Sequence, residues 1–338
     1  LHTAYRRQRQ MCIRDRIYIM KNKKLFWFSS SSIVITLVLI FIAILKIGPL
    51  FNFYIIPPSP QNYTKLALSH MEEKGLYAKG KKWENTKAYV LKKTKNAKEY
   101  NDTYQYLEQA LVVAGRKHSY LETNDNKKNN TNNKVKYPSI TKKSNILTIK
   151  MPSFSGNDIE SKHYANIINQ ALQKEKYKGV IIDLRNNVGG DMGPMIAGLS
   201  SLLEDGKLLT YIDKDNNKTS VNLNGSETEN GGTPVKLSKT SKVKQKFIAI
   251  LINKNTASSG EITALAFKDK KNVKYFGSNS AGYTSANTSI DLYDGSIMNL
   301  TTHKLKDQTG KIYINNSIIP NVKTNKPEKS ALEWISSS

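Results

Sequence analysis

The chain has 338 residues, and 52 Lys and Arg face 27 Asp and Glu, a formal net charge of +25. Hydrophobic residues make up 38%, enough apolar material for a core, which excludes a chain disordered throughout. One Cys excludes an intramolecular disulfide framework and a Cys-based structural zinc site, and five His make a His-rich metal centre an unattractive reading. The basic excess is scattered as single Lys residues without a nucleic-acid motif, so a lysine-rich surface facing an anionic envelope is expected and nucleic acid is not a partner.

Residues 1–16, LHTAYRRQRQMCIRDR, resemble translated sequencing-adapter DNA and are set aside as an artefact, with Met20 as the start. The only Cys, Cys12, lies in that stretch. From Leu25 to Leu45 there is no charged residue, and Lys21, Lys23 and Lys24 precede the run. A helix needs about 20 apolar residues to cross the hydrocarbon core, and flanking Lys stays cytoplasmic. Neither a small-x-small cleavage site nor a Cys follows. Residues 20–50 are thus expected to be a retained signal anchor, giving a single-pass protein of the cell membrane whose remaining chain is extracytoplasmic.

Pro57, Pro58 and Pro60 make a stiff spacer. Residues 57–122 read as a small helical domain, with apolar positions at helical spacing in Tyr104, Leu107, Leu111 and Val112. The Asn- and Lys-rich residues 123–136 read as a flexible loop. The pattern then changes. Ile146–Met151 alternates like a strand, His163–Lys174 has helical spacing, and Gly179–Leu184 is a short apolar run of the buried parallel type. A helix follows over Met195–Leu203, then polar strands and turns over 207–245. Phe247–Ile252 is a second buried strand, Glu261–Phe267 a helix and Val273–Phe276 a strand. This alternation predicts an α/β core with parallel strands over 137–325.

Three segments carry chemistry. In Ile248–Phe267 a buried strand runs through a small-residue turn into a helix. A Ser there either caps the helix or stands exposed beside amides that favour a developing oxyanion. In Gly179–Met192, GVIIDLRNNVGGDM, a paired-Gly turn lets backbone approach a ligand closely and aims amides at it. Neither the lysine-containing P-loop nor GxGxxG is present. In Val112–Leu121, VVAGRKHSYL, His118 follows a helix; alone, such a His is structural as readily as catalytic.

Together the segments resemble the tail-specific, or C-terminal-processing, serine peptidase family. The matches are Asp183–Gly190 (DLRNNVGG), Thr256–Ile262 (TASSGEI), Phe276-Gly277 and Ile318-Ile319-Pro320-Asn321, in order, across roughly Tyr63 to Val322. The resemblance implies a crotonase/ClpP-like catalytic core. It makes Ser258, three residues before Glu261, the nucleophile, and it assigns the oxyanion hole to the amides of Ser259 and of the Gly189-Gly190 turn. Where the best-known branch carries a Lys base, this chain has Tyr283. Ala281-Gly282-Tyr283-Thr284 and His118-Ser119 are instead similar to the tricorn-like and retinoid-binding-protein-like branch, which implies His118 as the base. That branch places a Glu at the position of Ile314 and a Ser at that of Lys117, so the third member is left open among Asp291, Asp294 and Tyr283. The roughly 25 residues between His118 and Ile146 are too few for the PDZ domain of many relatives.

The expected activity is hydrolysis of polypeptide substrates by a Ser-His acyl-enzyme route, which needs no metal or cofactor. The alternative is a catalytically inactive protein that holds a peptide or lipid on the same fold. An acyl-CoA enzyme fits the core but not a location outside the cytoplasm. Substrate preference and oligomeric state are not encoded in any motif of the chain.

Overall fold

The computed structural model describes residues 34–48, 53–124, 134–174, 176–243, 246–268 and 270–338. Residues 20–33 and 49–50 of the predicted anchor, the adapter-like segment and most of the predicted 123–136 loop lie outside them. The described part of the anchor is a helix, α1 (residues 34–47), with exposed apolar side chains such as Val34 and Leu37. No helix among the described residues is long and apolar enough to cross a membrane, so the transmembrane expectation gains no support from the fold.

Three helices follow: α2 (Pro60–Lys74), α3 (Gly80–Lys93) and α4 (Asn101–Gly115). Pro60, read as spacer, begins α2, because a Pro needs no amide partner at a helix start and the Ser59 side chain accepts from the Asn62 amide. The helices bury Tyr63, Leu68, Met71, Trp83, Leu107 and Leu111 in one cluster. That cluster also contains Met298 and Leu300 of a long strand far downstream, so the helical part shares its core with a sheet.

That sheet is antiparallel. It contains β1 (Tyr120–Glu122), β5 (Gly206–Ile212), β6 (Lys218–Asn224), β7 (Glu227–Glu229), β10 (Ser285–Asp291), β11 (Ile297–Lys306) and β12 (Ile312–Tyr313). β11 is its hub and pairs with β1, β5, β10 and β12. The second sheet has the order β13-β9-β8-β4-β3-β2, from β13 (Val322–Lys323), β9 (Val273–Gly277), β8 (Phe247–Ile252), β4 (Gly179–Asp183), β3 (Ile146–Lys150) and β2 (Ser139–Lys143). All neighbours in it are parallel except the β2–β3 edge pair. β4 is buried at every position, and β8 at all but its first, as expected for parallel strands covered on both faces.

One face of the parallel sheet is covered by α5 (Asp158–Lys174) and α6 (Met192–Leu199), through Tyr164, Ile168, Met195 and Ile196. The opposite face is covered by α8 (Pro327–Ser337), which begins beyond the core boundary predicted at 325 and packs Ala331 and Ile335 on Ile181, Ala249 and Phe276. A β-carbon at Gly179 would lie 2.3 Å from the Ile335 side chain; the missing side chain lets α8 sit close. The short helix α7 (Ser259–Leu265) follows β8. The C-terminal ends of β4 and β8, the start of β10 and the turn after α4 converge on one cleft.

Candidate active site

The turn after β8 is stitched to the turn after β4. Thr256 Oγ1 donates to the Leu184 carbonyl at 2.8 Å, and the Ala257 amide donates to the Asn187 carbonyl at 2.9 Å. Asn187 is fully buried. Its Nδ2 donates to the Met151 and Pro152 carbonyls at 3.0 and 3.2 Å, and its Oδ1 accepts from the Gly189 amide at 2.9 Å. The two turns are therefore held by specific polar contacts between them.

Ser258 stands at the head of α7 with φ 50° and ψ −123°. A non-Gly residue in that region is strained and persists only where its surroundings hold it. Glu261 supplies the hold. This fully buried carboxylate accepts from the amides of Ser258 (3.1 Å), Gly282 (2.8 Å) and Tyr283 (2.7 Å), and from the Ser280 hydroxyl. Burial raises its carboxyl above the ordinary range, while those hydrogen bonds pull the other way. Glu261 thus links Ser258 to the 280–283 loop.

His118 lies 140 residues upstream of Ser258, in a one-turn 3-10 helix (Arg116–His118) between α4 and β1. Its ring is buried. Nε2 is 3.1 Å from Ser258 Oγ, and Nδ1 is 2.8 Å from Ser285 Oγ at the start of β10. Ser285 Oγ in turn donates to Asn315 Oδ1 at 3.0 Å. The Tyr283 ring meets the imidazole edge-on, centroids 5.1 Å apart. Lys117 Nζ lies 4.7 Å from the Tyr283 centroid and donates to the Ala281 carbonyl at 2.9 Å. Burial, assisted by the Lys117 charge, pushes the imidazole down to about 4. It is neutral at ordinary pH.

The other predicted site residues divide. Gly190 (φ 106°) and Ser259 flank Ser258, and Ser259 Oγ donates to the Gly190 carbonyl at 2.5 Å. The amides of both make no hydrogen bond among the described residues. The Gly189 amide, expected beside them, is already given to Asn187 Oδ1, so Gly189 shapes the turn and does not offer a donor. Tyr283 meets the imidazole in an edge-to-face ring contact, while Nδ1 is bonded to Ser285 Oγ. Asp291 pairs with Ile297 at the far end of β10, six positions from Ser285 and so about 20 Å along the strand. Asp294 is spent on Tyr63, Tyr104 and Ser296. Neither Asp reaches the ring, because β10 turns its beginning, not its end, toward His118. The residues behind the imidazole, Ser285 and Asn315, were not singled out in the sequence. The signal for Asn315 was its position next to Ile314.

A cleft of about 560 Å³ opens over Ser258 and His118. Its wall includes the exposed side chains of Val188 and Tyr120, with Lys117 and Lys254 adding positive charge. Among the described residues no group of three or more His, Cys, Asp or Glu is placed to hold a metal ion. The cleft therefore offers a hydroxyl on a strained turn, a neutral imidazole within reach of it, and two unbonded amides alongside. Such a set can carry nucleophilic acyl transfer.

The chain resembles known proteins over most of its length. The chain is 46% identical over 290 residues to the nisin-resistance protein of Lactococcus lactis subsp. lactis, covering 86% of this chain and 91% of that protein. It is 31% identical over 194 residues to the carboxy-terminal processing protease CtpA of Bacillus subtilis, covering 57% of this chain but only 38% of that protein. Among solved structures, a lipoprotein from Streptococcus agalactiae superposes with a TM-score of 0.78 at 35% identity, covering 84% of this chain and 99% of that one. The photosystem II D1 C-terminal processing protease shares the fold, with a TM-score of 0.58 at 15% identity, covering 79% and 94%. The model of peptidase family S41 matches residues 145–324, a span that contains both glycines, Ser258 and the loop behind it. This chain belongs to peptidase family S41 and is a serine peptidase.

Proposed function

We propose that the chain hydrolyses peptide bonds through Ser258 and His118, and that nisin is among its substrates. The observation that carries this reading is the 3.1 Å approach of His118 Nε2 to Ser258 Oγ, within the range for a general base and its nucleophile. Nε2 takes the hydroxyl proton as Oγ bonds to the scissile carbonyl carbon. The carbonyl oxygen becomes an oxyanion and receives the Gly190 and Ser259 amides. The protonated imidazole then gives its proton to the amide nitrogen, the C–N bond breaks, and the amine leaves. Water, losing a proton to Nε2, attacks the acyl-enzyme, and the imidazolium returns that proton to Ser258 Oγ.

The core is read as crotonase-like, from the β4–α6 and β8–α7 units whose connecting turns carry the two amides. The substrate proposal draws on the nisin-resistance protein, which this chain matches over nearly its full length. The uncharged run Leu25–Leu45 supports an anchored enzyme working outside the cytoplasm; membrane fractionation and protease accessibility of intact cells test it.

The central experiment incubates the protein with nisin, reads fragments by mass spectrometry, and labels a parallel sample with a fluorophosphonate. Labelling and cleavage are both expected in the wild type and absent in Ser258→Ala, a loss of up to about 10⁶-fold for removing a nucleophile of this type. Folded wild-type protein that is neither labelled nor cleaves would favour the silent binder. Labelling without nisin cleavage would keep the mechanism and reject the substrate.

A further inference from the structure

We propose that Ser285 and Asn315 form a neutral hydroxyl–amide relay that fixes the tautomer of His118, in the place where a carboxylate would otherwise hold the ring. The proposal rests on the Ser258–His118 reading for its catalytic consequence, but the tautomer itself can be measured without it.

Asn315 Oδ1, 3.0 Å from Ser285 Oγ, is a carboxamide oxygen and can only accept. The single Ser285 hydroxyl hydrogen is therefore used on Asn315. What Ser285 Oγ presents to His118 Nδ1, 2.8 Å away, is a lone pair. Nδ1 must then carry the ring hydrogen. A neutral imidazole has only one, so Nε2 is bare and its lone pair faces Ser258 Oγ. This is the tautomer that can take the Ser258 proton.

The direction of the relay depends on which end of the Asn315 amide faces Ser285. With Nδ2 turned inward, Ser285 would accept from Asn315 and donate to Nδ1. Nε2 would then carry the hydrogen and could not act as a base. Asn315 meets Ser285 through Oδ1, and its Nδ2 is buried with no partner among the described residues. Asn315 has φ 59°, a left-handed conformation that Asn tolerates better than most residues. This turn brings the amide to Ser285, beside Ile314 where the family resemblance would have put a carboxylate. Ser285 is fully buried, which shields the relay from competing water.

The groups around the ring allow the relay to act through neutral partners. The imidazole faces Ser258 from the α7 turn, Ser285 from β10 and Tyr283 from the connecting loop. From β10, Asn287 Nδ2 donates to the His118 carbonyl at 2.7 Å. The charged neighbours are Lys117, adjacent in the chain and turned to the Ala281 carbonyl, and Glu261, which lies behind the Ser258 and Tyr283 amides. No carboxylate among the described residues hydrogen-bonds the ring.

The test reads the ring hydrogen directly. Full-chain protein carrying ¹⁵N-labelled histidine is studied by NMR at neutral pH, with His118 identified by the signals lost in His118→Gln. The expected spectrum has a protonated Nδ1 and a bare Nε2; a hydrogen on Nε2 overturns the proposal. In Ser285→Ala the fluorophosphonate labelling rate of Ser258 is expected to fall by about 10²–10⁴-fold, the scale of a misplaced ring hydrogen in a Ser-His pair. Asn315→Asp keeps only acceptors and adds a charge, so it should retain labelling while the acid limb of the rate–pH profile moves up by about one unit or more. Folded Ser285→Ala labelled at the wild-type rate, or an acid limb unmoved in Asn315→Asp, overturns the relay. A wild type with the expected tautomer but no labelling would leave the relay standing and remove the peptidase reading.

Discussion

A β-carbon placed on Gly189 would lie 2.7 Å from Ser258 Cβ and 3.1 Å from the Ser259 amide nitrogen. The paired-Gly turn after β4 is therefore pressed against the turn after β8, with no room for a side chain between them. Gly189 also sits at φ 109°, where an L-residue is strained. Gly189→Ala should displace Ser258 and the Ser259 amide together. Fluorophosphonate labelling should fall by at least about 10²-fold, the usual effect of losing one oxyanion donor, with a lower Tm. Gly225→Ala is the control. It too has positive φ, but its β-carbon would meet only Thr240 Oγ1 at 3.9 Å, so it should cost about 1–2 kcal/mol of backbone strain and leave labelling intact. Equal labelling in the two variants would contradict the close packing.

The imidazole sets the pH behaviour. Burial and the Lys117 charge hold His118 at about 4, below its ordinary value of 6.5, so the base stays free well into acid. The rate of Ser258 labelling should be flat from neutral pH down to about 5 and fall tenfold per unit below about 4. Lys117→Met removes the charge and should move that limb upward. The stability consequence has a definite sign. Between 6.5 and 4 the unfolded chain binds a proton that the folded chain refuses, so stability falls as pH drops through this window. The loss reaches roughly 3 kcal/mol below the folded value, and His118→Gln should lack it. Urea unfolding across that window measures the difference. A labelling limb near the ordinary imidazole value would refute the depressed base.

Much of this arrangement could be read from residue order. The parallel strands announced themselves as unbroken apolar runs, as in FIAILI and GVIID, because both their faces are covered. Ser258, Gly190 and His118 were legible from small-residue turns at strand ends and from family resemblance. The antiparallel sheet was legible only in part: polar strands are expected over 207–245, where β5, β6 and β7 lie, but β10 and β11 give no such signal. β10 and β11 carry Asn, Thr and Ser where an amphipathic strand would be apolar, and the structure explains why. Buried Thr301 and Thr302 bond to Asn287 and Thr288 across the β10–β11 pair, and Ser119 Oγ donates to Thr301 Oγ1. A core satisfied by side-chain hydrogen bonds has no hydropathy period to detect. The same strand hid Ser285: Asp291 and Asp294, the expected acidic partners of His118, are carboxylates, and the neighbour of the ring is a hydroxyl.

Glu261 has a sharper role than helix capping. Its two oxygens receive three amides and a hydroxyl, and every one of those donors belongs to a segment lining the site. In Glu261→Gln one oxygen becomes an NH₂ group. At the Oε2 end it faces the Ser258 and Tyr283 amides, and at the Oε1 end the Gly282 amide and a Ser280 hydroxyl that can turn to accept. The expected cost is about 1–4 kcal/mol, for one or two buried donors left unsatisfied. Labelling of the folded fraction should slow as well, because the Ser258 backbone loses its restraint. Chemical denaturation and labelling kinetics on the same samples separate these effects. Stability unchanged within error would mean that the network does not hold the turn.

Asp294 belongs to the scaffold. Its carboxylate accepts from Tyr63 of α2 at 3.2 Å and from Tyr104 of α4 at 2.5 Å, and also from the Ser296 amide and hydroxyl at 3.0 and 2.9 Å. It therefore fastens two helices to the β10–β11 turn, at the far end of β10 from the strand's catalytic end. Asp294→Asn puts a donor where a hydroxyl donor already points, and should cost about 1–3 kcal/mol. Labelling per folded molecule should be unchanged, and so should its pH profile. That combination separates a structural carboxylate from one that orients the base. An Asp294→Asn protein of wild-type stability but slowed labelling would return Asp294 to the catalytic assembly. The hydrogen bonds it makes to the two tyrosines argue for the opposite result.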